Sequence, residues 1–209
     1  QVVPNLTLKV SDATPDDLIA DAVETVFVTA KPHFVNHAMM TADHGEGYAA
    51  VSCYNSLKIG GGAHTLVRLN LLEAVRRHDG GLDSFIADAL PAWVELTCEL
   101  GEARIRALVE GSGFFESNFL ATEGLVDIDR FSAMFGIFGL AECVNELMVR
   151  QGRPEARYGH DDAANVASYR ITEAIADLVA AHPMPYCEGY GGRAYLHSQS
   201  GIDLDLFAT

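Results

Sequence analysis

Apolar and polar residues partly alternate near the start of the chain and then change to a helical spacing. The alternation within residues 3–10 predicts a short strand. Thr14 can cap a helix, and Pro15 suits the first helical position. Apolar residues then recur every three or four positions, so we predict a helix that ends near Pro32.

Helical spacing returns in four later segments. They are 65–77, 83–111, a stretch from 127 or 129 to 148, and 161–181. Pro91 should kink the second segment, and Pro183 ends the last. Glycines interrupt 33–63, where we predict no helix and where a small apolar run at 48–51 suits a buried strand or loop. With an irregular tail at 185–209, the pattern predicts a helix-rich α/β fold of low strand content.

The composition is that of a globular protein with a strongly acidic balance. Hydrophobic residues make up 49% of the 209 residues and charged residues 21%, which allows a sizeable core. With 14 basic and 29 acidic residues, the formal net charge is −15. A field of this sign repels phosphate backbones and anionic lipid, so we expect no nucleic-acid partner.

The ends of the chain and its hydrophobic runs bear on location. No stretch approaches the ~20 apolar residues that a transmembrane helix needs, and the first residues lack a signal-peptide pattern. We therefore expect a cytoplasmic location and no membrane partner. Because the chain starts with Gln1 instead of Met and its tail has no closing element, we expect residues 1–209 to be a single domain or a fragment of a larger fold.

The four cysteines are widely spread along the chain. They are Cys53, Cys98, Cys143 and Cys187, and no two form a Cys-x-x-Cys pair, so a zinc ribbon or a thioredoxin-type motif is excluded. We expect reduced thiols, with Cys98 and Cys143 in the core because both lie on helical patterns. Cys53 lies in a glycine-rich, non-helical setting.

Three histidines and an aspartate form the densest group of possible metal ligands. His33 and His37 have the spacing of a His-Glu-x-x-His zinc site, and Asp43 and His44 follow closely. However, Phe34 replaces the glutamate, so hydrogen-bonded histidines are favoured over a metal site. Two alternatives stay open from the residues alone: a metal-dependent hydrolase built on His33, His37 and His44, and a non-catalytic helical dimerisation module.

Several short motifs carry a family resemblance. Pro-Asn-Leu-Thr-Leu at 4–8 and Thr-Pro-Asp-Asp-Leu at 14–18 resemble the opening strand and helix start of the glycyl radical enzyme superfamily. Lys-Pro-His-Phe-Val-Asn at 31–36 is similar to its Pro-x-Phe-x-Asn segment, and Val-Ser-Cys-Tyr-Asn-Ser at 51–56 stands in the place of its cysteine loop. Gly-Ile-Phe-Gly-Leu-Ala-Glu at 136–142 resembles the Gly-Leu-x-Glu helix of the anaerobic ribonucleotide reductase branch. Their order most resembles the YjjI-type members, which are longer proteins.

The resemblance implies a fold and a mechanism. The fold would be part of a ten-stranded α/β barrel, with the catalytic Cys53 on a loop inside. A radical-SAM activating enzyme would generate a glycyl radical near the C-terminus of the whole protein, and this radical would pass to Cys53. The thiyl radical would then take hydrogen from a small polar organic substrate under anaerobic conditions. The family also implies a homodimer, and we expect no bound metal or organic cofactor.

The chain departs from the family pattern at three points, and its substrate residues rest on position alone. The C-terminal Arg-Val-x-Gly-Tyr motif is missing, Tyr54 replaces the second cysteine of pyruvate formate-lyase, and Asn55 breaks the Cys-x-Glu pattern of the eliminases. No specific reaction therefore carries over.

Asn36, Asn55 and His64 flank the cysteine segment, where they either bind a polar substrate or satisfy the loop backbone. The motif around Glu142 favours a pocket carboxylate.

Overall fold

The computed structural model describes residues 6–29, 31–51 and 55–198, and at positions 51, 55, 56 and 198 it describes the backbone only. The chain divides into an N-terminal unit, residues 1–61, and a C-terminal unit, residues 62–209. Among the described helices, none combines the length and the apolar character that a membrane span needs.

The described residues of the N-terminal unit form two helices and two small sheets. Its elements are β1 (Thr7–Val10), α1 (Asp16–Thr29), β2 (His33–Asn36), α2 (His37–His44), β3 (Tyr48–Val51) and β4 (Asn55–Lys58). β1 and β2 pair in parallel, whereas β3 and β4 form an antiparallel hairpin. The strand predicted within 3–10 and the helix predicted to end near Pro32 are confirmed.

Helix α2 shows that the prediction of no helix in 33–63 was wrong. Asn36 caps this helix, because its Oδ1 accepts a hydrogen bond from the Met39 backbone N–H at 3.1 Å. Pro32 lies before the cap and does not interrupt the helix. The helix ends at Gly45, whose φ of +79° suits glycine. Gly45 therefore ends a short capped helix.

A three-stranded parallel sheet and its helices form the C-terminal unit. Its strands and helices are β5 (Gly62–Asn70), α3 (Leu71–Arg76), α4 (Leu82–Ser84), α5 (Leu90–Arg106), α6 (Phe114–Ser117), α7 (Phe119–Thr122), β6 (Phe131–Phe138), α8 (Leu140–Arg150), α9 (Asp162–Ala181) and β7 (Ala194–Ser198). The sheet order is β5–β6–β7, and both pairings are parallel. Helix α5 packs on β5, and α9 packs on α5, α8 and β7.

Two segments predicted as helices each contain a strand followed by a helix. The segment 65–77 continues β5 to Asn70 before α3 begins, and the segment from 127 or 129 to 148 contains β6 before α8. β6 is the middle strand, and its first six residues are all buried. A parallel strand covered on both faces carries apolar residues at nearly every position, so its sequence lacks the alternation of an exposed strand. β7 likewise lies inside the tail predicted to be irregular.

The predicted helix over 83–111 is a continuous helical stretch. Gly81 is its N-cap, whereas Asp83 lies inside the first turn and accepts a hydrogen bond from Arg170 Nη2 at 2.7 Å. Pro91 lies in the first turn of α5, directly after a π-helical turn at Phe85–Ala89. The wider turn accommodates a proline, which lacks a backbone N–H. The irregularity near Pro91 is thus a π-helical turn.

The described hydrophobic core belongs to the C-terminal unit. Its fully buried side chains come from α3, α5, α8, α9 and β6, and they include Leu71, Val75, Leu90, Ile105, Phe135, Leu147, Ile171 and Ile175. Cys98 and Cys143 are 0% exposed in this cluster, as predicted. The fold is α/β and helix-rich. The described sheets contain two, two and three strands and do not close, so the ten-stranded barrel stays a prediction.

Candidate functional site

The β3–β4 hairpin carries Cys53 in its connection. The two strands pair from Tyr48↔Lys58 to Val51↔Asn55, so the residues between the last pair are 52–54. These residues lie outside the described part of the chain. The backbone places Asn55 as the first residue of β4, whereas its side chain is not described. In sequence, Cys53 therefore falls between the last residue of β3 and the first residue of β4.

Tyr48 joins this hairpin to two other elements of the N-terminal unit. Its side chain is buried, with 3% exposed. The phenol oxygen lies 2.9 Å from His37 Nδ1 in α2, a hydrogen bond whose donor depends on the imidazole tautomer. The ammonium of Lys9 in β1 lies 4.3 Å from the centre of the tyrosine ring, a cation–π contact. Sequence reasoning missed Tyr48, although an aromatic residue with a polar tip stands out beside Ala49 and Ala50.

The three histidines of the possible metal group do not converge. His33 lies in β2 and His37 begins α2, so the segment between them is a strand and lacks the helical spacing of a zinc site. His33 Nε2 contacts the Lys31 ammonium, and His37 contacts Tyr48. Among the described residues, no group of three or more His, Cys, Asp or Glu side chains is placed to share a metal ion. This geometry does not favour the hydrolase alternative.

Asn36 is exposed and its side-chain oxygen caps α2. The amide nitrogen of the same side chain is not needed for the cap, since the Met39 bond uses only Oδ1. The structure thus supports the interpretation that Asn36 satisfies the helix backbone, and the cap does not use the two N–H donors of its amide.

His64 lies in an aromatic cluster at the start of β5. Its ring is 9% exposed and packs against Phe115 and Phe131, with ring centroids 5.8 and 5.0 Å away. Nε2 donates to the Tyr186 carbonyl oxygen at 2.8 Å, which fixes the proton of the neutral ring on Nε2. Nδ1 is then a buried acceptor without a partner among the described residues. Burial lowers the pKa of His64, although the Tyr186 hydrogen bond and the Glu188 charge oppose the shift.

Glu142 lines a surface pocket of about 240 Å³ between α3 and α8. It lies in the first turn of α8, where a carboxylate is stabilised by the helix dipole. Gly139 precedes the helix with a φ of +72°, and a Cβ there would lie 3.2 Å from the Leu72 backbone nitrogen. The glycine of the Gly-Leu-x-Glu motif therefore lets α8 begin directly beside α3. Arg76 and Arg157 line the same pocket.

The three described cysteines are protonated thiols at neutral pH. Cys98, Cys143 and Cys187 are fully buried and free. Burial raises the pKa of Cys143 to about 12 and the pKa values of Cys98 and Cys187 to about 11. The thiolate is the nucleophilic and metal-binding form of cysteine, so these protonated thiols are poorly suited to those two roles.

Comparison with known proteins finds one family that matches over the whole length of this chain. The chain matches the family described as "Glycyl radical enzyme YjjI-like" over residues 1–209. It is 43% identical to the uncharacterized protein YjjI of Escherichia coli (strain K12) over 211 aligned residues, which cover 100% of this chain and 40% of that protein. A protein of Haemophilus influenzae is 33% identical over 95% of this chain and 38% of its own length. The chain thus spans about two fifths of these relatives.

The fold is similar to solved anaerobic ribonucleotide reductases. One is the Thermotoga maritima enzyme with citrate in its active site, which matches with a TM-score of 0.62 and 14% identity over 93% of this chain and 35% of that structure. A second anaerobic ribonucleotide reductase matches with a TM-score of 0.61 and 14% identity over 92% of this chain and 30% of its own. At this identity the likeness concerns the fold alone, whereas the family match covers the whole sequence: the chain belongs to the YjjI-like glycyl radical enzyme family.

Proposed function

We propose that this chain is the cysteine-loop portion of a glycyl radical enzyme. In the proposed reaction, Cys53 forms a thiyl radical that takes a hydrogen atom from a small polar organic substrate under anaerobic conditions. Family membership over residues 1–209 carries this proposal. In sequence, Cys53 falls between the paired strands β3 and β4.

The radical chemistry balances as a chain of hydrogen-atom transfers. A glycyl radical, on a glycine outside this chain, takes the hydrogen of the Cys53 S–H bond, so a C–H bond forms and the thiyl radical remains. The thiyl radical then takes hydrogen from a substrate C–H bond, and the product radical regains hydrogen from the thiol. An S–H bond and an activated C–H bond are of comparable strength, so the protein contributes mainly by positioning the reactants and excluding water.

The substrate contacts we propose are Asn36, Asn55, His64 and Glu142. The buried Nδ1 of His64 is an acceptor that could pair with a substrate hydroxyl or amine. Glu142 lines a pocket beside two arginines. Asn36 contributes at most its amide nitrogen, since its oxygen caps α2. The ten-stranded barrel is part of this proposal. His64 lies at the start of β5, whereas Glu142 follows the end of the parallel strand β6, so the two side chains lie at opposite ends of the sheet and one small substrate would contact either of them but not both.

The proposed partners follow from the same chemistry. Formation of a glycyl radical requires an external hydrogen acceptor, which we assign to a radical-SAM activating enzyme. We also propose a cytoplasmic homodimer with no bound metal or organic cofactor of its own. The first measurement is the complete coding frame, checked against the intact mass of the native protein. We expect a longer polypeptide that contains an Arg-Val-x-Gly-Tyr type segment.

The test of the radical role uses a readout that needs no substrate. The complete protein is activated in D₂O, and the electron paramagnetic resonance (EPR) doublet caused by the glycyl α-hydrogen is followed over time. Transfer to Cys53 exchanges that hydrogen for deuterium, because the thiol exchanges with solvent between cycles, and the doublet collapses. We expect the collapse in the native protein and in the control Cys98→Ala, and a persistent doublet in Cys53→Ala. Equal collapse in Cys53→Ala would refute the thiyl role.

A further inference from the structure

Helix α8 carries a polar face beside the face that it buries. Its apolar face packs in the core with Cys143, Val144, Leu147 and Met148. The neighbouring face lines the α3–α8 pocket at the i, i+3, i+4 and i+7 positions, which are Glu142, Asn145, Glu146 and Val149. The buried Leu72 of α3 lines the same pocket. The pocket is therefore built on two helices that the core holds in place.

A turn after α8 brings an arginine to this pocket. The Asn145 side-chain oxygen accepts a hydrogen bond from the Tyr158 backbone N–H at 2.9 Å, which ties the turn to α8. The Arg157 carbonyl oxygen accepts hydrogen bonds from the backbone N–H groups of His160 and Asp161, both at 3.0 Å. Asp161 in turn caps α9. Hydrogen bonds therefore hold the backbone around Arg157, a residue that lines the pocket.

Two charged groups of this pocket are left without a partner in the part of the chain that the structure describes. Glu146 pairs with Arg150 within α8 at 3.1 Å. By contrast, the side chains of Glu142 and Arg157 make no hydrogen bond or ion pair with another described residue. They carry opposite charges and line the same pocket, yet they do not pair with each other. A carboxylate and a guanidinium thus border one space.

The balance of charge around this space selects the kind of ligand. A simple anion would lie beside Glu142 and Glu146, in a chain whose net charge is −15. A simple cation would lie beside Arg76 and Arg157. A ligand with both charges offsets either repulsion and offers the guanidinium a carboxylate, its preferred bidentate partner. The volume of about 240 Å³ lies below the ~300–1,000 Å³ of pockets for drug-sized molecules, so the ligand is small.

We propose that the α3–α8 pocket binds a small amino acid as its zwitterion, with the carboxylate on Arg157 and the ammonium on Glu142. The carbon chain of the ligand then lies against Leu72 and Val149. This inference narrows the small polar substrate proposed for Glu142 to one chemical class, and it rests on that proposed contact. Binding of the amino acid requires neither a radical nor Cys53, so it can be measured apart from the chemistry.

The experiment is isothermal titration calorimetry on the complete protein before activation. The probes are L-alanine, β-alanine and 4-aminobutyrate, whose two charged groups are separated by increasing lengths of carbon chain. Each is compared with the analogue that lacks the ammonium, propionate or butyrate, and with the amine that lacks the carboxylate, ethylamine or propylamine. We expect one amino acid to bind at least about tenfold more tightly than both of its analogues, since each analogue leaves one charged group of the pocket unpaired.

Single substitutions assign the two charges of the ligand to their residues. In Glu142→Gln the amino acid should bind no more tightly than its carboxylate analogue, and in Arg157→Gln no more tightly than its amine analogue. The controls change exposed residues outside the pocket, and Glu155→Gln and Arg104→Gln should bind the amino acid like the native protein. Val149→Phe enlarges a pocket-lining side chain that is 49% exposed, and it should abolish binding without changing a charge.

The outcomes separate this inference from the radical role. Absence of binding by all three amino acids, or equally tight binding of their analogues, would overturn the inference, as would equal affinity in Glu142→Gln and Glu155→Gln. If no amino acid binds while Cys53→Ala loses the collapse of the EPR doublet, the radical role stands without this pocket. If an amino acid binds with the expected pattern while Cys53→Ala keeps the collapse, the binding site stands and the radical role is lost.

Discussion

At the scale of single residues, burial strengthens the preference of His64 for the neutral form. Its ring is surrounded by Phe115, Phe131 and the Tyr186 carbonyl, and it is 9% exposed. A protonated imidazole there would carry a charge with one hydrogen-bonded nitrogen and one in apolar surroundings. The neutral form is therefore favoured, and the folded state resists protonation of His64 more than the unfolded chain does.

This asymmetry predicts an acid sensitivity that belongs to His64. Its folded pKa lies below the unfolded value of 6.5, so below pH 6.5 the unfolded chain binds a proton that the folded chain does not. Stability is then present above the unfolded pKa and is lost as the pH falls. We expect urea unfolding at about pH 7.5 and about pH 5.5 to show a smaller drop in His64→Gln than in the native chain.

The control for this prediction is His160→Gln, which changes an exposed histidine. That variant should show the same drop as the native chain over the same pH range. An equal drop in His64→Gln and the native chain would mean that His64 is protonated equally in both states. The sequence could place His64 beside the cysteine segment, but its aromatic neighbours come from positions about 50 and 70 residues away and could not be deduced without the fold.

At the scale of elements, predictions succeeded where the signal is local. Helix α9 was predicted over 161–181 and runs from Asp162 to Ala181, because Asp161 can cap it and Pro183 follows its end. The apolar spacing of this helix and its cap both depend on residues that are close together in sequence. The prediction was wrong for the strands β5 and β6, because their burial comes from pairing across 60 or more residues, as in Gly62↔Phe131. Tertiary burial, and not local periodicity, decides such segments.

The cap of α9 supplies a prediction at this scale. The Asp161 carboxylate accepts hydrogen bonds from the Ala163 and Ala164 backbone N–H groups at 2.9 and 3.2 Å. Asp161→Ala leaves both donors without this acceptor and should lower the free energy of unfolding by about 1 kcal/mol. Asp161→Asn keeps a capping oxygen, and it also removes the charge that faces Arg153 at 3.6 Å.

Comparison of the two variants by urea unfolding separates the cap from the ion pair. We expect Asp161→Asn to lose only the small contribution of a partly exposed ion pair, up to ~1 kcal/mol and often less. Equal losses in both variants would assign the effect to charge and not to capping. Helix α9 packs on α5, α8 and β7, so the cap matters for the whole C-terminal unit.

At the scale of the molecule, the two units differ in how much apolar surface they bury. The described core cluster comes entirely from residues 69–194. In the N-terminal unit, Ala22 and Tyr48 are the hydrophobic residues that are described as buried, whereas Phe27 and Val28 are 88% and 85% exposed. An apolar cleft of about 270 Å³ also lies between β1 and α1, lined by Leu6, Leu8 and Leu18. The N-terminal unit alone thus buries too little to offset its chain entropy.

The family and the α/β class could be predicted from the sequence. Motifs such as 31–36 and 136–142 consist of consecutive residues and can be recognised without the fold. The contacts of Tyr48 with His37 and Lys9 could not be predicted, since these residues meet only after three elements pack together. The sheet order β5–β6–β7 joins strands that are far apart in sequence, and local patterns carry no record of such pairing.

The distribution of the core leads to a prediction for the separated units. Residues 62–209, expressed alone, should unfold cooperatively in urea and keep their helical circular dichroism, because all described core residues are present. Residues 1–61, expressed alone, should show no cooperative transition, since a unit of this size with two buried hydrophobic residues lacks a driving force for folding. Mixing the two pieces provides the control: a new transition at a higher urea concentration would show that each stabilises the other. A cooperative transition in 1–61 alone, or its loss in 62–209 alone, would contradict the view that the stability of the chain resides in the parallel sheet and its helices.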